Sequence, residues 1–162
     1  MKNRFTTPSP PPAADKALGI VATSLAIGTR GPGFTEITDS VSEWLRQIGA
    51  TEGLLTVFIA HTSASLTIQE NADPDVRRDL IDCLERLAPE SHPYRHSSEG
   101  ADDMPAHIKA MLTSVSLSIP VVGGRTALGT WQGIYLIEHR ARTHERRVEL
   151  HFIGVCGAAP SL

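Results

Sequence analysis

Cysteine is scarce in this 162-residue chain: Cys83 and Cys156 stand far apart and share no CxxC spacing, which argues against a disulfide framework or a thiolate metal site. Cys83 reads as helix packing. Net charge is scarce too. The 15 basic and 18 acidic residues nearly cancel to −3, with no long run of either sign, so bulk electrostatics draw the chain neither to nucleic acid nor to an anionic membrane. No apolar run approaches the roughly 18 residues of a membrane span. The start of the chain places "TTPSPPPAAD" after Lys2 and Arg4, where a secretory peptide needs an apolar stretch. A cytoplasmic protein is expected. The phosphate cradles GxxxxGKS and GxGxxG are also missing, which argues against a nucleotide fold.

What is present suffices for one globular unit, with 41% apolar residues to close a core. Prolines between Pro8 and Pro12 favour extended, solvated backbone. Residues 1–15 are therefore expected to be a disordered Pro-rich extension, 16–156 a domain, and 157–162 a tail. "LGIVATSLAI" reads as a first strand ended by "GTRGPG", and "FTEI" as a short return. Val41, Trp44, Leu45 and Ile48 form an apolar stripe on a helix that begins near Thr38 or Asp39, with Ser40 and Glu43 at capping-box spacing, and stops at Gly49. "LLTVFIA" predicts a central strand buried on both faces, and "SLTI" another. Asp73 and Pro74 open a second helix with Val76, Leu80, Leu84 and Leu87 as its buried stripe. Residues 90–102 lack periodicity and form a long loop. A short helix runs from about Asp103 to Leu112, and three or more strands follow. The order β-β-α-β-β-α-α-β-β-β predicts an α+β fold with a largely antiparallel sheet and about three helices.

Polar chemistry concentrates at residues 61–80, "HTSASLTIQENADPDVRRDL". His61 ends a strand, so its ring is rigidly held, with the hydroxyls of Thr62, Ser63 and Ser65 beside it. The same residues have a plainer role: hydroxyls and Asn71 satisfying loop backbone, and Asp73 capping a helix. The helix starts at Pro74 and Met104 present free N–H groups that suit an anion. His92 and His96 are four apart, but Pro93 makes a helical zinc motif unfavourable. His107, downstream of Glu99, Asp102 and Asp103, offers a His-carboxylate set for zinc or manganese, or for magnesium with water and phosphate. A solvated loop is the bland alternative. His139, His144 and His151 read as surface or edge positions. In "GTWQGIYLIEHR", Gly129 and Gly133 let backbone approach something closely. Trp131 reads as core or as a stacking platform, and Glu138 as a buried acid, a metal ligand or a rim charge.

The blocks "HTSASLTIQENADPDVRRDL", "YRHSSEGADDMPAHIKA" and "GRTALGTWQGIYLIEHR" resemble the signature blocks of the YjbQ family, also called secondary thiamine-phosphate synthase, over residues 17–155. The resemblance implies a compact α+β homotrimer with a polar pocket near the subunit boundary. It implies a divalent metal, zinc or magnesium, on His61, His96 and His107. Asn71, Asp73, Gln132 and Glu138 carry over as catalytic residues, and Thr62, Ser63, Glu99 and Trp131 as substrate-binding residues. The implied reaction joins hydroxymethylpyrimidine diphosphate to thiazole phosphate and expels diphosphate, which needs charge neutralisation and alignment of the nucleophile. A dense set of phosphate-binding Arg and Lys is lacking, so a slow synthase is expected. Two rivals use the same residues: metal-assisted hydrolysis of a small phosphorylated metabolite, with Asp73 or Glu138 as general base, and capture of a small anion without turnover. Many members continue with acidic-Gly-Pro-Arg where this chain has "EHRARTHERR", a departure confined to the last loop.

Overall fold

From Leu18 to Thr29 exposed and half-buried residues alternate along the whole segment, the period-two signature of a strand with one face turned inward. In the computed structural model, which describes residues 18–157, this strand is β1. The expected extension and all but Gly157 of the expected tail lie outside the described residues. There follow β2 (Gly33–Glu36), α1 (Thr38–Gln47), β3 (Ala50–Ile59), β4 (Ala64–Glu70), α2 (Pro74–Leu87), α3 (Asp103–Leu112), β5 (Ser116–Val122), β6 (Arg125–Thr126), β7 (Gln132–Glu138) and β8 (His144–Cys156). The order is the one the sequence predicts, with two-residue β6 added. A five-stranded sheet runs β1-β8-β3-β5-β6 and a three-stranded sheet β2-β7-β4. Every strand pairing is antiparallel.

The core forms where the two sheets and α1 contribute apolar faces together. Leu55, Val57, Val148, Leu150 and Phe152 from the larger sheet join Leu66, Ile134 and Leu136 from the smaller, and Val41, Trp44 and Leu45 from α1. Helix α1 starts without a side-chain cap, so the Ser40-Glu43 spacing has no capping role, and it ends at Gly49 with φ of 63°, where glycine avoids the Cβ penalty. Asp73 does cap α2, accepting from the Asp75 N–H at 2.8 Å, with Pro74 in the first turn where its missing N–H costs nothing.

Two packing expectations need correction. β3 lies centrally between β8 and β5, but it is covered on one face only: Leu54 and Phe58 are 44% and 41% exposed. Its outer face continues a cross-strand row of Ile20, Ile153, Leu54 and Pro120, which has no covering layer among the described residues. Likewise no residue of α2 is fully buried, and Leu87 is exposed. Leu80, Cys83 and Leu84 face Phe34, Thr67 and Ile137 of the small sheet across a gap of about 130 Å³. Both stripes exist, yet the described residues do not cover them.

Candidate functional site

Antiparallel pairing of β4 with β7 decides which polar residues meet. Ala64 stands opposite Glu138 at one end and Glu70 opposite Gln132 at the other. Across the seven residues of β4 the ends are about 20 Å apart at ~3.3 Å per residue. The candidate residues therefore divide into two groups: His61, Thr62, Ser63 and Glu138 lie at the Ala64 end, while Asn71, Asp73, Trp131 and Gln132 lie at the Glu70 end.

Helix α3 brings the histidine loop to the Ala64 end. Asp103 and His107 are four residues apart, one above the other on the helix, and His96 reaches in from the loop. The Nε2 atoms of His96 and His107 lie 2.7 and 3.4 Å from Asp103 Oδ2, and ligand atoms of the three residues all fall within 4.8 Å of one another. His107 Nδ1 is 3.0 Å from the Thr62 carbonyl oxygen. A carbonyl can only accept, so Nδ1 carries a proton, and in the neutral ring Nε2 presents a lone pair. That lone pair faces a carboxylate oxygen. Two acceptors so placed repel unless a cation lies between them, and a ring N–H on a backbone carbonyl is how metal-binding histidines are oriented.

Arg140 builds this corner. It pairs with Asp103 Oδ1, its Nε donates to Asp102 Oδ2 at 3.0 Å, and its Nη2 donates to the Glu99 carbonyl at 2.9 Å. Burial alone would raise the Asp102 carboxyl, but the Ala141 N–H and the Arg140 guanidinium hold it below the usual range. Glu99 itself is exposed and contributes its backbone carbonyl.

Beside it sits a buried ion pair. Glu138 accepts from Thr29 Oγ1, Arg146 Nε, Arg146 Nη2 and the N–H groups of His139 and Arg140. Burial by itself would raise the Glu138 carboxyl; these donors, Arg146 foremost, outweigh it and lower the pKa. With its oxygens saturated, Glu138 is an anchor for Arg146, not a free acid, metal ligand or base. Arg146 Nη2 also donates to Ser63 Oγ at 3.2 Å, and its Nη1 lies 3.5 Å from His61 Nδ1. The opposite ring nitrogen of His61, Nε2, accepts the Arg147 N–H at 2.9 Å. Partial burial, then the Arg146 cation, lowers the His61 pKa. His61 thus has no lone pair aimed at His96 and His107, and the group beside those two is Asp103. A cavity of about 790 Å³ joins the two clusters, with Phe58, Met111 and Val115 on an apolar wall and His61, Ser63 and His107 on a polar one.

His139 is corrected from surface to core. It is 2% exposed, bonds Ser65 Oγ at 2.8 Å through Nε2, and its pKa is lowered to about 4, first by burial and then by buried Lys109. Lys109 in turn pairs with Glu85 of α2. His144 and His151 are half-buried strand residues.

The Glu70 end is quieter. The Asn71 N–H donates to the Trp131 carbonyl at 3.0 Å, Gln132 Oε1 accepts from the Gly129 N–H at 2.8 Å, and Asp73 is spent on its cap. Trp131 is 65% exposed in the turn before β7, outside the core. The close approach at Gly133 is internal: a Cβ there would fall 2.6 Å from Glu36 Oε1. Sequence reasoning missed Arg140 and Arg146. The signal for Arg146 was there, because it shares strand parity with Val148, Leu150 and Phe152, all inward-facing.

The family profile described as "UPF0047 protein YjbQ-like" matches residues 23–155. The chain is 51% identical over 131 residues to UPF0047 protein sll1880 of Synechocystis sp., covering 80% of this chain and 89% of that one. It is 44% identical over 126 residues to UPF0047 protein YjbQ of Salmonella typhimurium, covering 77% and 91%. Among solved structures, an uncharacterised conserved protein of the YjbQ/UPF0047 family from Clostridium acetobutylicum superposes with a TM-score of 0.72 at 38% identity, covering 82% of this chain and 98% of that one. A YjbQ-like protein of unknown function from Sulfolobus solfataricus P2 shares the fold with a TM-score of 0.79 at 22% identity, covering 85% and 99%.

Proposed function

This chain belongs to the YjbQ-like UPF0047 family, and we propose that it is a metal-dependent enzyme acting on small phosphorylated metabolites, with the thiamine-phosphate synthase reaction as its chemistry. One observation carries the reading: Nε2 of His107, a lone pair in the neutral ring, points at Asp103 Oδ2, 3.4 Å away, with His96 on the same oxygen. His96, Asp103 and His107 would hold a divalent ion. Two imidazoles and one carboxylate favour zinc or a similar transition ion over magnesium, which prefers all-oxygen sites. When bound, such an ion supplies positive charge against a departing diphosphate.

The chain's own groups do the rest. Thr62 fixes the His107 tautomer through its carbonyl, and Arg140 fixes Asp103. Phe58, Met111 and Val115 give the cavity an apolar wall on which a pyrimidine ring can pack while its polar end meets the histidines. Trp131, Asn71, Asp73 and Gln132 lie at the other end of β4 and have no part within the same chain. Hydrolysis fits less well, because Glu138 and Asp73 are both already engaged and neither is a free base.

The reading includes a homotrimer. Its support is the uncovered apolar row on the large sheet, with Ile20, Leu54 and Ile153 70%, 44% and 46% exposed, an arrangement that marks an interface. It also includes a cytoplasmic location, in keeping with two free cysteines; among the described residues no helix is long and apolar enough to cross a membrane. The test is metal content of tag-free protein alongside thiamine phosphate formation from the two precursors, with and without chelator. Stoichiometric metal and chelator-sensitive product support the reading; metal without product or hydrolysis of the precursors overturns the reaction assigned.

A further inference from the structure

We infer that Arg146, His61 and Ser63 form a binding site for an oxyanion, the charged group of the substrate, at the polar wall of the cavity. This deepens the proposed function by placing the substrate's anionic end, but its argument uses no metal ligand.

The argument is one of hydrogen-bond polarity. His61 Nε2 accepts the Arg147 backbone N–H at 2.9 Å, so in the neutral ring the proton sits on Nδ1. That N–H lies 3.5 Å from Arg146 Nη1, and a guanidinium cannot accept. Two donors therefore face each other, the reverse of the arrangement at His107. Arg146 has no freedom to turn away. Its side chain is 5% exposed, and Nε and Nη2 are held by Glu138 at 2.7 and 2.6 Å, with Nη2 shared by Ser63 at 3.2 Å. An unmet donor on a buried cation is costly. An anionic oxygen accepting from Nη1 and from His61 Nδ1–H satisfies both, and charge-assisted bonds of this kind are the strong ones. Ser63 Oγ–H is a further donor beside them, its oxygen already accepting from Nη2. His61 and Ser63 both line the cavity of about 790 Å³, so the acceptor has a path from solvent. Phosphate and carboxylate share this chemistry; the synthase reading favours phosphate.

The test is NMR of ¹⁵N-labelled full-length protein stripped of metal, with metal content read beforehand on the same preparation. Long-range ¹H–¹⁵N correlations report which His61 nitrogen carries the proton. The expected result is the Nδ1–H tautomer, with saturable shifts of His61 and Arg146 signals on adding inorganic phosphate. Acetate is titrated in parallel: phosphate alone, or phosphate at lower concentration, assigns a phosphate site, and acetate at lower concentration a carboxylate site. In the double variant Glu138→Gln, Arg146→Gln, which removes the buried pair together, the phosphate affinity falls at least about ten-fold, the equivalent of ~1.4 kcal/mol. An Nε2–H tautomer in the parent protein, or no response of His61 to either anion, overturns the inference. Metal retained without an anion response refutes this site and leaves the metal reading standing; an anion response in protein that carries no metal does the opposite.

Discussion

The two ends of the β4-β7 ladder are built from the same family blocks and are comparably polar, yet they differ in one respect. At the Glu70 end the hydrogen bonds that form are complementary: the Asn71 backbone N–H with the Trp131 carbonyl, Gln132 Oε1 with the Gly129 N–H, Asp73 with its own helix. At the Ala64 end the partners are mismatched when the rings are neutral: a lone pair of His107 faces a carboxylate, and an N–H of His61 faces a guanidinium. Polar density alone is therefore a poor guide to chemistry. What separates a site from a well-capped turn is hydrogen-bonding capacity that the chain cannot meet by itself.

The largest effect should come from breaking the buried pair on one side only. Glu138→Ala leaves Arg146, 5% exposed, without its carboxylate, and should cost about 3–5 kcal/mol in urea unfolding; a loss below about 1 kcal/mol would mean that the pair is hydrated. Next, His107→Ala should abolish stoichiometric metal while leaving the fold intact by circular dichroism, with a loss of affinity beyond the roughly 10–100-fold caused by removing an outer-shell partner. His61→Ala should retain the metal, and equal loss in both variants would restore His61 to the ligand set. At the quiet end, Asp73→Ala should cost about 1 kcal/mol through the α2 cap and leave metal content unchanged.

A smaller effect is expected from pH. His139 has its pKa lowered in the fold from 6.5 to about 4, so between these values the unfolded chain binds more protons than the folded one. Its contribution is fully present above about 6.5, is lost as pH falls toward about 4, and changes no further below that. Replacing His139 with Gln should flatten this part of the stability-pH profile; an unchanged slope would assign the loss to other groups.

Element order was legible because the apolar periods are strong: Val41, Trp44 and Leu45 mark α1, and the "RRVELHFIGV" alternation marks β8. The Asp73-Pro74 helix start was equally plain. The coverage of faces was not, because the apolar stripes of β3 and α2 read as buried whether the covering layer belongs to the same chain or to another. The cluster on α3 was half legible. The sequence singles out His96 and His107, but Asp103, which the fold sets beside them, reads there as one of several acids, and only helical register on α3 distinguishes it from Asp102. His139 lay in a charged run just past β7, where nothing local marks that the strand is buried on both faces from Gly133 to Glu138. Asn71 and Asp73 entered the site reading through the family resemblance, in one block with His61, and the seven-residue strand β4 sets them at the opposite end of the ladder from it.

The most direct test of the account is anomalous diffraction at the zinc edge from crystals of zinc-loaded protein. The account predicts one strong peak bounded by His96, Asp103 and His107, with His61 Nε2 still on the Arg147 amide. A peak coordinated by His61, or none within reach of Asp103, would contradict it.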